Sequence, residues 1–174
     1  MYNMEKILIR DARESERDAI RDITEKAYVE YVEAMTESLR VEYCRRLLTT
    51  LETQGLVDRI VAEYGENIVG SVLLYPSASS ANERVIRNPG WAELRLLAVL
   101  PSARGRGVGA ALVKECIRRA RNYGAKTIGL HTKDEMHSAV HLYERLGFVR
   151  FHELDFSPAT GVVIKGYYCS LDEG

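Results

Sequence analysis

Residues 94–113 read Leu-Arg-Leu-Leu-Ala-Val-Leu-Pro-Ser-Ala-Arg-Gly-Arg-Gly-Val-Gly-Ala-Ala-Leu-Val, and no other stretch of the chain limits its fold so tightly. An apolar run suited to a buried strand feeds a loop in which Gly105, Gly107 and Gly109 alternate. An amphipathic pattern starts directly behind them. Val108, Leu112, Cys116, Ala120 and Tyr123 form one stripe, with Lys114, Arg118 and Arg121 on the opposite side, which predicts a helix over 107–123. Glycines at such a junction let the backbone approach a ligand closely and take positive φ. The unpaired N–H groups of the first helical turn then add to the helix dipole and form an anion site. Arg104 and Arg106 bring charge that suits phosphate. A pyrophosphate fits this loop; the alternative is a tight strand-to-helix turn flanked by solvated arginines.

The rest of the chain organises around that segment. Residues 7–9 read as a first strand. Ser15-Glu16-Arg17-Asp18 resembles a capping box that opens a helix carrying Ala19, Ile20, Ile23, Ala27, Tyr28 and Tyr31. A second helix is expected over 38–54, with Leu47, Leu48 and Leu51 inward and Gly55 as its stop. Residues 58–64 and 68–75 flank Gly65-Glu66-Asn67 as a hairpin. Residues 76–90 form a long loop rich in Ser, Asn and Pro, of the kind that carries function. Strands follow at 92–99 and 126–132, a helix at 136–146 ended by Gly147, and two last strands at 148–152 and 162–169, joined by a loop containing Pro158. With no internal repeat or linker, the 174 residues form one α/β domain: a mixed central sheet of about seven strands flanked by about four helices.

Charge and cysteine usage narrow the partners. Twenty-four basic and 25 acidic residues give a formal net charge of −1, so no polyanionic partner such as nucleic acid is demanded. Cys44, Cys116 and Cys169 form neither a disulfide framework nor a CxxC pair, and no ligand spacing suggests a metal. The opening MYNMEKILIR lacks an apolar core, and no apolar run approaches the ~20 residues needed to span a bilayer. The expectation is a reduced, cytoplasmic protein without a membrane partner.

Two phosphate-binding readings compete for the loop. Gly105-Arg106-Gly107-Val108-Gly109-Ala110 fits the G-x-G-x-x-A form of the dinucleotide fingerprint, and Asp134 follows near a strand end, which would suit an NAD-dependent oxidoreductase. The other reading draws on a second motif. Arg104-x-x-Gly107-x-Gly109, after Leu97-Ala98-Val99 and Pro101, resembles the acetyl-CoA signature of the GNAT superfamily of N-acetyltransferases. Ala139-Val-His-Leu142-Tyr143-Glu144-Arg145-Leu146-Gly147-Phe148 resembles that family's second signature. The two together cover residues 92–151, and the element order on either side is similar to that fold.

The resemblance implies roles residue by residue. Backbone N–H groups from Arg104 through Gly105, Arg106, Gly107, Val108 and Gly109 to Ala110 would hold the CoA pyrophosphate. Leu97, Ala98 and Val99 would lie on a strand splayed from its neighbour near a bulge, pairing with the pantetheine arm and opening the acetyl-CoA cleft. Tyr143 falls where the family carries a tyrosine near the CoA sulfur, and a phenol with a pKa of about 10 can donate to a departing thiolate. Its other reading is a helix tyrosine packed on the sheet. Glu93 sits where many members carry a glutamate that removes the amine proton; it also reads as a solvated strand carboxylate or a partner to Arg95. His131 and His137 flank the cleft entry as further candidate bases. Where the family often has asparagine, this chain has Met136, followed by His137 and Ser138, and Ser138 would supply the helix N-terminal contact.

The expected activity is transfer of acetyl from acetyl-CoA to a primary amine in a ternary complex, without a metal. A non-catalytic acyl-CoA-binding module of the same fold is the alternative. By analogy the acceptor would lie between the first two helices, the 76–90 loop and the last hairpin, which carry Tyr28, Tyr31, Trp91, Glu33, Glu37 and Glu42; aromatics and carboxylates there would suit an amine cation. Relatives that dimerise through their last strands make residues 162–171 a candidate homodimer surface.

Overall fold

A computed structural model describes residues 6–77, 86 and 88–172. The strands are β1 (Leu8–Asp11), β2 (Asp58–Tyr64), β3 (Asn67–Tyr75), β4 (Trp91–Val99), β5 (Thr127–Thr132), β6 (Val149–Arg150), β7 (Phe156–Ala159) and β8 (Val162–Ser170). The helices are α1 (Arg17–Glu33), α2 (Glu37–Leu51), α3 (Val108–Asn122) and α4 (His137–Arg145). The strands lie in the order β1-β2-β3-β4-β5-β8-β6, with β7 paired to β8 off that path. All neighbours are antiparallel except β4 and β5, which α3 links as a parallel pair.

The eighth strand is a difference from the sequence reading. β7 contains Pro158, which pattern alone assigns to a loop. Proline is tolerated because β7 is an edge strand, and its pairing with β8 is irregular between Phe156 and Ala159. β8 pairs with β5 over residues 165–170 on one edge and with β7 and β6 on the other, so much of the apolar segment expected to support self-association is already engaged within the sheet. The entry to α1 also differs: a 3-10 turn at Glu14–Glu16 precedes the helix, and the Glu16 carboxylate accepts from the Arg13 N–H at 2.7 Å in place of a Ser15 cap. Residues 78–85 and 87 of the expected acceptor loop lie outside the described residues.

Two layers cover the sheet. The α3 stripe of Leu112, Val113, Cys116 and Ala120 is buried against Ile60, Ala62, Val72, Leu74 and Leu94. Each fully buried aliphatic side chain here stabilises the fold by roughly 1.5–3 kcal/mol. Across the sheet, Ile23 and Ala27 of α1 pack on Ala98 of β4. Gly70 lets α3 sit close, since a Cβ there would lie 3.0 Å from Val108 Cγ1 and 3.1 Å from the Ala98 oxygen. Among the described residues no helix is long and apolar enough to cross a membrane.

Candidate active site

The site begins as a fault in the sheet. β4 and β5 run on to Val99 and Thr132, yet their parallel pairing covers only Trp91↔Thr127, Ala92↔Ile128 and Glu93↔Gly129. On the other side of β4, Ser71 faces Ala98 and Leu73 faces Arg95, so Leu96 and Leu97 together oppose Val72 alone. This bulge bends the strand away from β5. Leu96 takes φ 51°, a left-handed conformation unusual for a leucine. The Tyr28 hydroxyl of α1 reaches the bulge and donates to the Leu97 carbonyl at 2.9 Å. The separated strands open a cavity of about 960 Å³, walled by α1, α2, β4, the glycine loop, β5 and α4.

At one end stands the glycine loop. Gly105 and Gly107 have φ of 75° and 81°, and Gly107 is the residue from which α3 starts. Val108, Gly109 and Ala110 supply the first-turn N–H groups, and all three line the cavity. Gly109 serves a different purpose. A Cβ there would come within 3.0 Å of Leu142 Cδ2, so glycine lets α3 and α4 close on one another. The arginines are placed otherwise than expected. Arg104 donates to Glu30 Oε1 at 2.8 Å and to the Ala27 carbonyl at 3.0 Å, fastening the loop to α1. Arg106 lies over the Tyr64 ring, 5.5 Å from its centroid and off the cavity wall. Arg104 still lines the cavity beside the main-chain N–H groups of Val108, Gly109 and Ala110.

In the middle of the cavity, Tyr143 and Glu93 share the wall. Tyr143 is 5% exposed, rests against Phe148 at 5.7 Å between ring centroids, and burial pushes its phenol above the ordinary value. It stays protonated over the whole neutral range. Glu93 is 1% exposed, which removes the solvated-carboxylate reading. Its Oε2 accepts from the Ile86 N–H at 3.3 Å, and its Oε1 lies 3.7 Å from Arg95 Nε. Leu97, Val99, Ser138, Met136 and His137 line the cavity as well, whereas the Ala98 side chain turns away into the contact with α1.

His131 faces the same space but its Nε2 meets the Leu154 carbonyl at 2.7 Å, and burial lowers its pKa. The carbonyl accepts from Nε2–H, so in the neutral ring, which burial favours, the lone pair is on Nδ1.

The acceptor residues sort differently from expectation. Tyr28 and Tyr31 line the cavity, with rings in an edge contact at 6.2 Å. Trp91 does not; its ring packs with Phe151 and Tyr168. Glu33, Glu37 and Glu42 are also off the wall, and Glu42 instead accepts from Arg45 and Arg46. Two residues that periodicity did not single out line the cavity with the tyrosines. Tyr43 of α2 and Lys133, just past β5, meet with the ammonium 4.4 Å from the ring centroid. The available signal was a charge two residues beyond His131, just past the end of β5. Asp134 points away and pairs with Lys165 at 2.5 Å, so it is not placed to hold a ribose as the dinucleotide reading requires. Among the described residues no group of three His, Cys, Asp or Glu side chains is arranged to hold a metal.

Comparison with known proteins agrees with this geometry. The chain is 38% identical over 64 residues to the mycothiol acetyltransferase of Rhodococcus jostii, which is 37% of this chain and 21% of that protein. It is 36% identical over 75 residues to an uncharacterized N-acetyltransferase of Schizosaccharomyces pombe, 43% of this chain and 46% of that one. The chain thus matches about a fifth to about a half of the length of these relatives. In structure it is similar to the PaiA N-acetyltransferase of Thermoplasma acidophilum in complex with coenzyme A (TM-score 0.70, 15% identity, 95% of this chain and 99% of that one). It is also similar to YncA of Salmonella typhimurium with acetyl-CoA (TM-score 0.65, 18% identity, 97% and 95%). The model of the acetyltransferase (GNAT) family matches residues 17–148, well over half of the sequence, and the chain belongs to that family.

Proposed function

We propose that this protein is an acetyl-CoA-dependent N-acetyltransferase that passes the acetyl group to a primary amine by direct attack in a ternary complex. The observation that carries the reading is the bulge at Leu96 and Leu97. It ends the β4–β5 ladder at Glu93 and opens a cleft directly in front of the α3 N-terminus. The pyrophosphate would lie on the first-turn N–H groups of Val108, Gly109 and Ala110. The pantetheine arm would extend the unpaired edge of β4 along 97–99, in place of the missing strand partner. The thioester then arrives between Tyr143 and Glu93.

In that arrangement Glu93, directly or through a water, takes the proton that the ammonium must lose before its nitrogen can attack. The C–N bond forms as the C–S bond breaks, and the Tyr143 hydroxyl supplies the proton to the leaving thiolate. A β4 N–H beside the bulge stabilises charge on the carbonyl oxygen; a donor so placed is worth about 10²–10³ in rate. Proton transfer by a positioned side chain adds about 10²–10⁴. Main-chain recognition of CoA accounts for a cofactor strand that is plainly apolar. We place the enzyme in the cytoplasm.

The test is calorimetric titration with acetyl-CoA and with NAD, using Gly107→Glu as the control, followed by an amine screen that reads thiol release. Micromolar acetyl-CoA binding that the carboxylate abolishes, with turnover of some amine, supports the assignment. Tight NAD binding, or no binding of either ligand by the folded protein, refutes it. Acetyl-CoA binding with transfer to no amine would leave the non-catalytic acyl-CoA-binding alternative.

A further inference from the structure

The acceptor lobe of the cavity carries the opposite charge to the one that an amine cation alone would select. Glu93 and Arg95 of β4, His131 of β5 and Lys133 just past the end of β5 all line this part of the cavity, beyond the last paired residues Glu93 and Gly129. The three carboxylates first expected there, Glu33, Glu37 and Glu42, are off the wall. Among the described residues on it, Glu93 is buried beside Arg95 and Glu30 is engaged by Arg104, which leaves Glu135, exposed at the rim.

Lys133 is the distinctive group. It is half-buried, its ammonium covers the face of Tyr43, and it forms no ion pair with a described residue. Burial lowers its pKa, opposed only by the nearby Glu135. A cation–π contact compensates part of the lost hydration of an ammonium, less than an oxyanion does. The same contact takes the Tyr43 face out of service as a platform for a ligand's cation.

We infer that the acceptor is a small amine that also bears a carboxylate or a comparable oxyanion, which Lys133 seats beside Tyr43 while the amine is turned toward Glu93. Lys133 is then a specificity-determining residue: it places the acceptor through the end that does not react. This inference rests on the acetyltransferase reading, and the two fail in different ways.

The experiment is thiol release from acetyl-CoA by the full chain, with three acceptor sets: the standard L-amino acids, their neutral amides, and spermidine as a polycation. The expected result is kcat/KM at least tenfold higher for one or more amino acids than for the matching amide, and lower still for spermidine. Lys133→Gln is expected to raise the amino-acid KM about ten- to hundred-fold, to leave the acetyl-CoA KM within twofold, and to bring the acid-to-amide ratio near one. Lys133→Arg should restore much of that ratio, which a purely structural lysine would not require. Turnover that favours spermidine, or a Lys133→Gln effect equal on acids and amides, overturns the inference while leaving acetyl transfer in place. Acetyl-CoA binding with no transfer to any of the three sets overturns this inference, while the acetyltransferase reading falls only if the wider amine screen also gives no thiol release.

Discussion

Replacing Tyr28 by phenylalanine tests whether the bulge is actively held. The substitution keeps the ring, with its edge contact to Tyr31, and removes one hydroxyl that donates to the Leu97 carbonyl at 2.9 Å. Burial pushes that phenol well above its ordinary value, so it remains a donor at any pH used for assay. A neutral hydrogen bond contributes about 0.5–1.5 kcal/mol net, toward the middle of that range here because the carbonyl lies at an open cavity where water can replace the lost partner. About 1 kcal/mol lowers Tm by roughly 2–4 °C in a chain of this size. That loss is comparable to the strain of a left-handed leucine, on the order of 1–3 kcal/mol, which Leu96 carries at φ 51°. With its clamp gone, the strand spends part of its time as a regular ladder against β3. A one-residue slip turns every following side chain to the other face of the sheet. The bulge is where the edge of β4 proposed to bind pantetheine departs, so kcat/KM for acetyl-CoA is expected to fall about five- to tenfold, while the amine KM stays within twofold. Thermal melts and thiol-release kinetics with each substrate varied in turn would measure this. Unchanged melting and acetyl-CoA kinetics, or a change confined to the amine KM, would refute the reasoning and return Tyr28 to the acceptor site.

Gly107→Ala meets no atom within 4 Å but forces an L side chain to φ 81°, so it should lower stability by about 1 kcal/mol, read by urea denaturation, and Gly107→Asn should cost less because asparagine tolerates that region. Glu93→Gln should reduce kcat by about 10²–10⁴ while calorimetric acetyl-CoA affinity stays within threefold; retention of full turnover would assign the base elsewhere, with His131 next in place. For acid stability, Arg10 holds the Glu16 carboxyl at about 2 and Arg150 holds that of Asp155 at about 2, both below the ordinary range near 4. Each binds a proton more weakly when folded, so its contribution is complete above about pH 4 and is lost as pH falls toward 2. Arg150→Gln should flatten that fall in melts recorded from pH 5 to 2, and an unchanged slope would dismiss the Arg150–Asp155 pair as a source of it.

The cofactor half of this site is legible in the sequence because main-chain recognition leaves a mark on residue choice. An N–H cradle needs backbone shapes that few residues allow, and glycine at 105 and 107 marks those shapes one position at a time. The charges beside them have structural partners as well: Arg104 fastens the loop to α1 while still lining the cavity, and Arg106 covers Tyr64. The bulge itself was not readable from pattern. Leu94-Arg-Leu-Leu-Ala-Val99 is compatible with an unbroken strand, and what singles out Leu96 is a hydroxyl arriving from Tyr28, 69 positions from the carbonyl it binds.

The acceptor half is illegible for a deeper reason. Its chemistry is built from single side chains on α1, α2, β4 and the end of β5, and each obeys the local rule of its own element. Tyr43 looks like a helix core residue and Lys133 like a solvated strand end; only the splay of β4 from β5 puts the ammonium over the ring. Expectation looked to acidic residues along helices, but Glu33, Glu37 and Glu42 lie off the described cavity wall, with Glu42 held by Arg45 and Arg46. On the reading proposed above, the groups that decide what may approach the thioester are instead Glu93, Arg95, His131 and Lys133, which meet only because β4 and β5 part. The end of the β4–β5 ladder at Glu93 and Gly129 is therefore the place from which the proposed acceptor charge is traced.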